Sequence, residues 1–265
     1  MSEFVRRELS SQVAVVTLRR PELHNAFNET VIEQLTAAFL ELASATDVRA
    51  VVLAAIGKSF CAGADIQWMK RMVDYSFDKN VADAATMARM LRSIRECPKP
   101  VIARVHGAAI GGGVGLVAAC DMAVAVRSAV FSLSEVKLGI VPAVISPYVL
   151  EKIGPGAARR YALTAERFGA DEARRLGLVS EVVDTIEELD ACIEGFADHI
   201  RANGPQALAV CKQVLSTVAG HDWKHMTEET VRVIADRRVS PEGQDGLKAY
   251  LEKRKPGWTS PDKAD

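Results

Sequence analysis

Three runs in this chain are apolar at nearly every position: residues 49–55 (RAVVLAA), 100–105 (PVIARV) and 122–126 (MAVAV). A strand with no polar face must be covered on both sides, and the sheets that bury strands in this way are parallel, with helices as the cover. A further β-branched run at 12–18 (QVAVVTL) is stopped by Arg19-Arg20-Pro21, which reads as a strand and its turn. Between the strands lie segments of helical period. Asn28 is placed to cap a helix reaching about residue 45, whose apolar positions Val31, Leu35, Ala38 and Leu42 fall on one face. A second helical stretch covers roughly 65–95. The β-α-β-α-β rhythm predicts an α/β fold.

After about Pro142 the pattern becomes helical. Short helices are predicted at 146–153, 156–164 and 170–176, and longer ones at 186–202, 205–219 and 223–238. A last helix opens at Ser240-Pro241-Glu242, with Pro241 where helices favour starting, and runs to about 253. The expected organisation is an α/β core over 1–200 and a helical region over 201–265, with a polar, frayed tail from 256.

Charge and cysteine usage remove several function classes. With 33 Lys plus Arg against 34 Asp plus Glu, the net charge of −1 gives no electrostatic reason to bind nucleic acid or an anionic membrane. The longest uncharged run, 105–120, is too short to span a bilayer and is broken by five glycines. The five cysteines are scattered without a C-x-x-C pair, which fits neither a disulfide framework nor a zinc site. The first residues carry no apolar stretch of the signal-peptide kind, so the expected location is cytoplasmic.

Chemistry concentrates in two small-residue turns, each following a buried strand and preceding a helix: Ser59-Phe60-Cys61-Ala62-Gly63-Ala64-Asp65-Ile66 and Gly107-Ala108-Ala109-Ile110-Gly111-Gly112-Gly113-Val114-Gly115. Small residues let backbone approach a ligand, and helix N-termini offer unpaired N–H groups with partial positive charge. Two such amides converging on one point make an oxyanion hole. The plain alternative for Gly111–Gly113 is a tight packing turn. Nucleotide motifs fit poorly, because G-x-x-x-x-G-K-[ST] is absent and Leu116 stands where a G-x-G-x-x-G frame needs its last glycine. No serine sits in a G-x-S-x-G frame.

These turns belong to an ordered set of pieces: Arg20-Pro21 with His24-Asn25-Ala26, Phe60 to Asp65, Lys99 to Ala103, Gly107 to Gly113, Ala119-Cys120-Asp121, Ser134 to Gly139, Thr164-Ala165-Glu166, and Ala173 with Gly177-Leu178-Val179. In order and spacing they resemble the enoyl-CoA hydratase/isomerase (crotonase) superfamily over nearly the whole chain. The resemblance implies a crotonase-like spiral of ββα units, C-terminal helices that build a trimer or a dimer of trimers, and an acyl-CoA thioester substrate with no further cofactor. It implies hydrogen bonds from the Ala64 and Gly112 amides to the thioester oxygen. Ala62, Ala64, Asp65, Ile66 and Gln67 would line the CoA end, with Asp65 acting more as a cap than as a catalyst. Lys253, in a basic cluster near the C-terminus, would meet a CoA phosphate.

Family hydratases carry two glutamates around the double bond. The later one matches Glu135, whereas the earlier falls on Gly115, which has no side chain. Glu135 alone could return to Cα the proton it takes from water, or shuttle a proton between Cα and Cγ as an isomerase does. Without a second charge nearby, its pKa should be set by burial and rise. A non-catalytic thioester-binding subunit is the third reading. The family's Pro-Gly-rich loop is replaced by Ile140-Val141-Pro142-Ala143-Val144-Ile145-Ser146-Pro147. With Gly115 and Arg159-Arg160-Tyr161, this is similar to members that hydrate carboxylated, 3-branched enoyl-CoAs such as 3-methylglutaconyl-CoA or γ-carboxygeranoyl-CoA. Lys70, Arg71 and Lys137 are candidate partners for an acyl carboxylate. His24 and His106 read as structural. His221 and His225 have i, i+4 spacing with no third metal ligand in view.

Overall fold

The computed structural model of the protein describes residues 4–219 and 223–259. The chain opens with strands β1 (Val5–Ser10) and β2 (Val13–Leu18), then helix α1 (Glu29–Ser44), which Asn28 caps by accepting from the Val31 amide. Strands then come in pairs, each pair leading towards a helix. β3 (Ala50–Ala55) and β4 (Ser59–Cys61) precede α2 (Ile66–Met72) and α3 (Phe77–Arg95); β5 (Val101–Val105) and β6 (Ala108–Ile110) precede α4 (Gly112–Ala119). β7 (Met122–Val126) and β8 (Val130–Ser132) precede a 3-10 turn at Glu135–Leu138 and α5 (Ser146–Thr164). There follow β9 (Phe168–Gly169), α6 (Ala170–Leu176), β10 (Glu181–Val183), α7 (Ile186–Ala202), α8 (Pro205–Val218), α9 (Trp223–Val239) and α10 (Pro241–Leu251).

The first strand of each pair joins a six-stranded sheet ordered β1-β2-β3-β5-β7-β10, antiparallel at β1–β2 and parallel from β2 onwards. The second strand joins a smaller sheet ordered β4-β6-β8-β9, parallel except at β8–β9. This is the crotonase spiral, a β-β-α step repeated with the strands shared between two sheets. β3 is buried along its whole length, as its apolar sequence requires. Phe27, Phe39, Phe60 and Phe131 are among the largest fully buried side chains of the core.

Two expectations need correction, one holds, and several strands went unread. The helical stretch at 65–95 is two helices, broken over residues 73–76, where Ser76 starts α3 by accepting from the Lys79 amide. The two helices expected at 146–153 and 156–164 are both present, consecutive within α5 and separated at Gly154, whose φ of +71° and ψ of 167° are not helical. β1 and the three-residue strands of the small sheet lacked enough residues or apolar content to stand out in sequence. The tail is not frayed through Thr259: the Trp258 Nε1 donates to the Ala202 carbonyl at 3.0 Å and the Gly257 amide to Asp245 Oδ2 at 2.6 Å. Residues 260–265 and His221 lie outside the described residues, as does the side chain of His225, so the histidine pair has no structural reading.

Among the described residues no helix is long and apolar enough to cross a membrane, and no group of three or more His, Cys, Asp or Glu is arranged to hold a metal ion. The C-terminal helices are tied to the core by Lys212 of α8, whose Nζ lies 2.7 Å from Asp121 Oδ2, and by Arg49, which donates to the Asn203 carbonyl.

Candidate active site

Parallel strands β4, β6 and β8 are neighbours in the small sheet, and their C-terminal ends deliver three groups to one place. Clefts beyond the carboxyl ends of parallel strands are where α/β folds position ligands. After β4 the chain turns at Gly63, with φ +86°, and presents Ala64. After β6 it turns at Gly111, with φ +54° and ψ −121°, a conformation that favours glycine, and enters α4 at Gly112. After β8 it reaches Glu135.

The first two turns touch. A Cβ on Gly63 would lie 2.9 Å from the Ile110 carbonyl oxygen and 3.6 Å from the Gly112 nitrogen. Phe27 bridges to Ala64 in parallel fashion: its amide donates to the Gly63 carbonyl at 2.8 Å, and its carbonyl accepts from the Asp65 amide at 3.0 Å. That pattern skips the Ala64 N–H. Among the described residues nothing accepts a hydrogen bond from the Ala64 or Gly112 amide. Gly112 is also closed to any side chain, since a Cβ there would come to 3.0 Å from Phe27 Cε1 and closer still to its Cζ.

A buried polar network holds the Ala64 turn. Asp65 caps α2, its Oδ1 accepting from the Gln67 and Trp68 amides at 2.6 and 3.3 Å. Its other oxygen pairs with Arg20 Nη2 at 2.8 Å, where both side chains are under 10% exposed (8% and 6%). Burial pushes the Asp65 carboxyl up, but the hydrogen bond from Arg20, the two cap amides and the nearby positive charge together hold it below the usual range. Arg20 Nη1 also donates to the Ala26 carbonyl at 2.7 Å, and the guanidinium stacks 4.7 Å from the Phe4 ring centroid. Asn25, with φ +55°, accepts from the Arg20 amide and donates to the Ile56 and Ser59 carbonyls. Arg20 entered the sequence reading only as part of a motif; its partner lies 45 residues on, a pairing that no local pattern encodes.

Glu135 opens the 3-10 turn that Gly139 closes in the left-handed region. Its carboxyl lies against the start of α4: a Cβ on Gly111 would stand 3.1 Å from Glu135 Oε1. Oε2 is buried and without a hydrogen-bond partner. Burial raises the Glu135 pKa above the ordinary carboxylate value. Nearby Cys61 is no rival nucleophile, since burial pushes its thiol to about 12.

The structure therefore gathers Ala62, Ala64, Asp65, Gly112 and Glu135, with Ile66 and Gln67 exposed on the first turn of α2. Lys253 stands apart, exposed just beyond α10, which packs on α8 and α9. Arg71 is engaged by Glu29 at 2.6 Å. His24 and His106 bond to Ser59 Oγ and the Gly57 carbonyl, in keeping with structural roles. Sequence reasoning missed what fills the space over Gly115. A Cβ there would be 2.9 Å from the Cβ of Ile145 and closer still to its Cγ2.

Two unengaged amides beside a desolvated carboxyl can hold an oxygen that gains negative charge while a proton moves at a neighbouring atom. On such a scaffold that arrangement defines a lyase or isomerase of the crotonase fold. The family model described as enoyl-CoA hydratase/isomerase matches residues 8–261, and the chain belongs to that family. It is 33% identical over 254 residues to the short-chain-enoyl-CoA hydratase of Clostridium acetobutylicum, covering 94% of each chain. It is also 33% identical to the peroxisomal Delta(3,5)-Delta(2,4)-dienoyl-CoA isomerase of Arabidopsis thaliana, over 96% of this chain and 95% of that one. The crystal structure of an enoyl-CoA hydratase from Shewanella pealeana superposes with a TM-score of 0.93 at 42% identity, covering 97% of this chain and 96% of the other.

Proposed function

We propose that the protein adds water across the α,β double bond of a short or branched enoyl-CoA thioester, with Glu135 as the single acid and base. The Glu135 carboxylate takes a proton from water as the water oxygen bonds to the β-carbon. The π electrons move onto the thioester oxygen, which accepts from the Ala64 and Gly112 amides. The neutral Glu135 then returns a proton to the α-carbon, so one water is added and nothing is oxidised. Each amide is worth about 3–4 kcal/mol to that enolate. The observation carrying the proposal is that three neighbouring strands end on two idle amides and on a carboxyl whose Oε2 is buried without a hydrogen-bond partner.

The reading extends to the substrate's two ends. Ile66, Leu138, Ile140 and Val141 leave apolar surface exposed on the segments that carry the site, which suits an acyl chain. For a carboxylated chain of the 3-methylglutaconyl kind, Lys70 and Lys137 are the available cations, Arg71 being occupied by Glu29. Ala62 to Gln67 would line the CoA end. The proposed assembly is a trimer or a dimer of trimers, supported by the exposed Leu215, Val231, Ile234 and Val239 of the C-terminal helices; Lys253 would reach a CoA phosphate there.

Isomerisation is the second reading, favoured by the apolar Ile145 where another carboxylate would stand. The test is spectrophotometric. Hydration consumes the conjugated thioester absorbance of crotonyl-CoA or 3-methylglutaconyl-CoA, whereas isomerisation of a 3-enoyl thioester creates it. Glu135→Gln should lower turnover by about 10²–10⁴-fold with thioester affinity retained. Undiminished kcat in that variant would overturn the assignment.

A further inference from the structure

Ile145 is the best-placed side chain that the proposed chemistry leaves unused. It ends the same connection that begins at Glu135, and both residues close down on α4. Glu135 lies over Gly111 and Ile145 over Gly115; the two glycines are one helical turn apart, the Gly115 amide reaching the Gly111 carbonyl at 3.4 Å. Gly111 caps the helix outside helical φ/ψ, so the bond from the Gly115 amide, rather than side-chain spacing, is what sets the two glycines close together. Ile145 is 1% exposed. Behind it lies a small pocket of about 30 Å³, open towards the surface and lined by Leu133, Pro142, Val149 and Ala158 among others. A space of that size exceeds the ~10–15 Å³ that one water needs, but its apolar lining offers water almost no hydrogen-bond partner.

We propose that Ile145 is a specificity-determining residue: seated on Gly115 beside the Glu135 carboxyl, it keeps that flank of the reacting carbons dry and so sets how much hydration competes with proton shuttling. The inference rests on the site assignment above. Hydration needs a water at the β-carbon beside Glu135, while proton exchange at the α-carbon needs no water nucleophile. Shortening Ile145 joins the surface over Gly115 to the cavity behind it, and a hydroxyl there gives water a hydrogen-bond partner.

The test compares two rates in wild type, Ile145→Ala, Ile145→Ser and the conservative Ile145→Val. One is hydration of crotonyl-CoA; the other is deuterium uptake from D₂O at the α-carbon of a 3-enoyl thioester. Ile145→Ser should raise the ratio of hydration to exchange by about tenfold or more, in the range one pocket group commands. Ile145→Ala should raise it less, and Ile145→Val should leave it near wild type. Gly115→Ala should cost activity through its clash with Ile145, and adding Ile145→Gly should restore it. A ratio within twofold of wild type in both the Ala and Ser variants, with exchange still abolished by Glu135→Gln, would overturn the role of Ile145 and leave the site assignment standing. Exchange that survives Glu135→Gln would instead remove the assignment, and the inference with it.

Discussion

Replacing Arg20 by alanine tests how the fold holds one of the two amides in place. The side chain makes a 2.8 Å ion pair with Asp65, a 2.7 Å bond to the Ala26 carbonyl and a stacking contact with Phe4. Breaking a buried pair by removing one partner costs ~3–5 kcal/mol, because the remaining charge stays buried alone. Asp65 keeps its two cap amides, which puts its share at the lower end, about 3 kcal/mol. The orphaned Ala26 carbonyl adds about 1 kcal/mol. At ~2–4 °C per kcal/mol, a loss of about 4 kcal/mol lowers Tm by roughly 8–16 °C. The sign with pH also follows. Asp65 has a lowered folded pKa, so its stabilisation is present above the ordinary carboxylate value and lost as pH falls through the lower folded one. Without Arg20 the carboxyl loses the hydrogen bond and charge that do most to hold its pKa down, and the acid-unfolding midpoint moves to higher pH. Arg20→Ala with Asp65→Asn, which keeps a capping oxygen but removes the stranded charge, should recover part of the loss. Thermal denaturation by circular dichroism measures all three proteins. Because the Ala64 amide sits in the turn this pair anchors, kcat measured below the transition should fall about tenfold with little change in KM, as for an interaction made only in the transition state. A Tm within 2 °C of wild type would refute the energetic argument, and an unchanged kcat in folded Arg20→Ala would refute the positioning role.

Three further outcomes are expected. Gly112→Pro removes an N–H and should lower kcat by at least ~100-fold; circular dichroism must show an intact fold, and retained activity in a folded variant would exclude that amide from the chemistry. Activity should rise with pH through the raised pKa of Glu135, as its carboxylate becomes available. Stability runs the other way: a group whose folded pKa is raised stabilises below its ordinary value and loses that contribution as pH climbs through the folded one. Glu135→Gln should therefore have a higher Tm than wild type at pH 8 and no such advantage at pH 4, and equal shifts at both would contradict its burial. Lys212→Ala should cost about 1–3 kcal/mol by freeing α8 from Asp121, read as a lower denaturation midpoint with unaltered kcat.

What could be read from the residues divides along a physical line. The strands at 50–55, 101–105 and 122–126 were legible because a strand buried on both faces writes its environment into every position. The cap at Asn28 was legible because a short polar side chain before a helix has one main use, whereas that at Asp65 was expected from the family resemblance. The strands at 59–61, 108–110 and 130–132 were not, since three residues carry too little period to distinguish a strand from a turn. Yet these carry the site, and only the motifs beyond their ends revealed it. Pairings such as Arg20 with Asp65 join residues far apart in the chain and leave no local trace.

Gly115 shows why an absent side chain is the hardest feature to interpret. As a residue type it announces only that something is missing, and both a water-filled gap and a tightly filled one are compatible with that. The fold decides between them: Ile145, thirty positions on, occupies the place so closely that even a methyl group at 115 would collide with it. The loss of a carboxylate and the gain of an apolar wall are then one structural fact, because either position constrains the other. A side chain restored at 115 alone meets Ile145, and shortening 145 alone opens the surface over Gly115 to the pocket behind it. The chemistry open to Glu135 thus depends on a packing contact that involves neither of its own atoms.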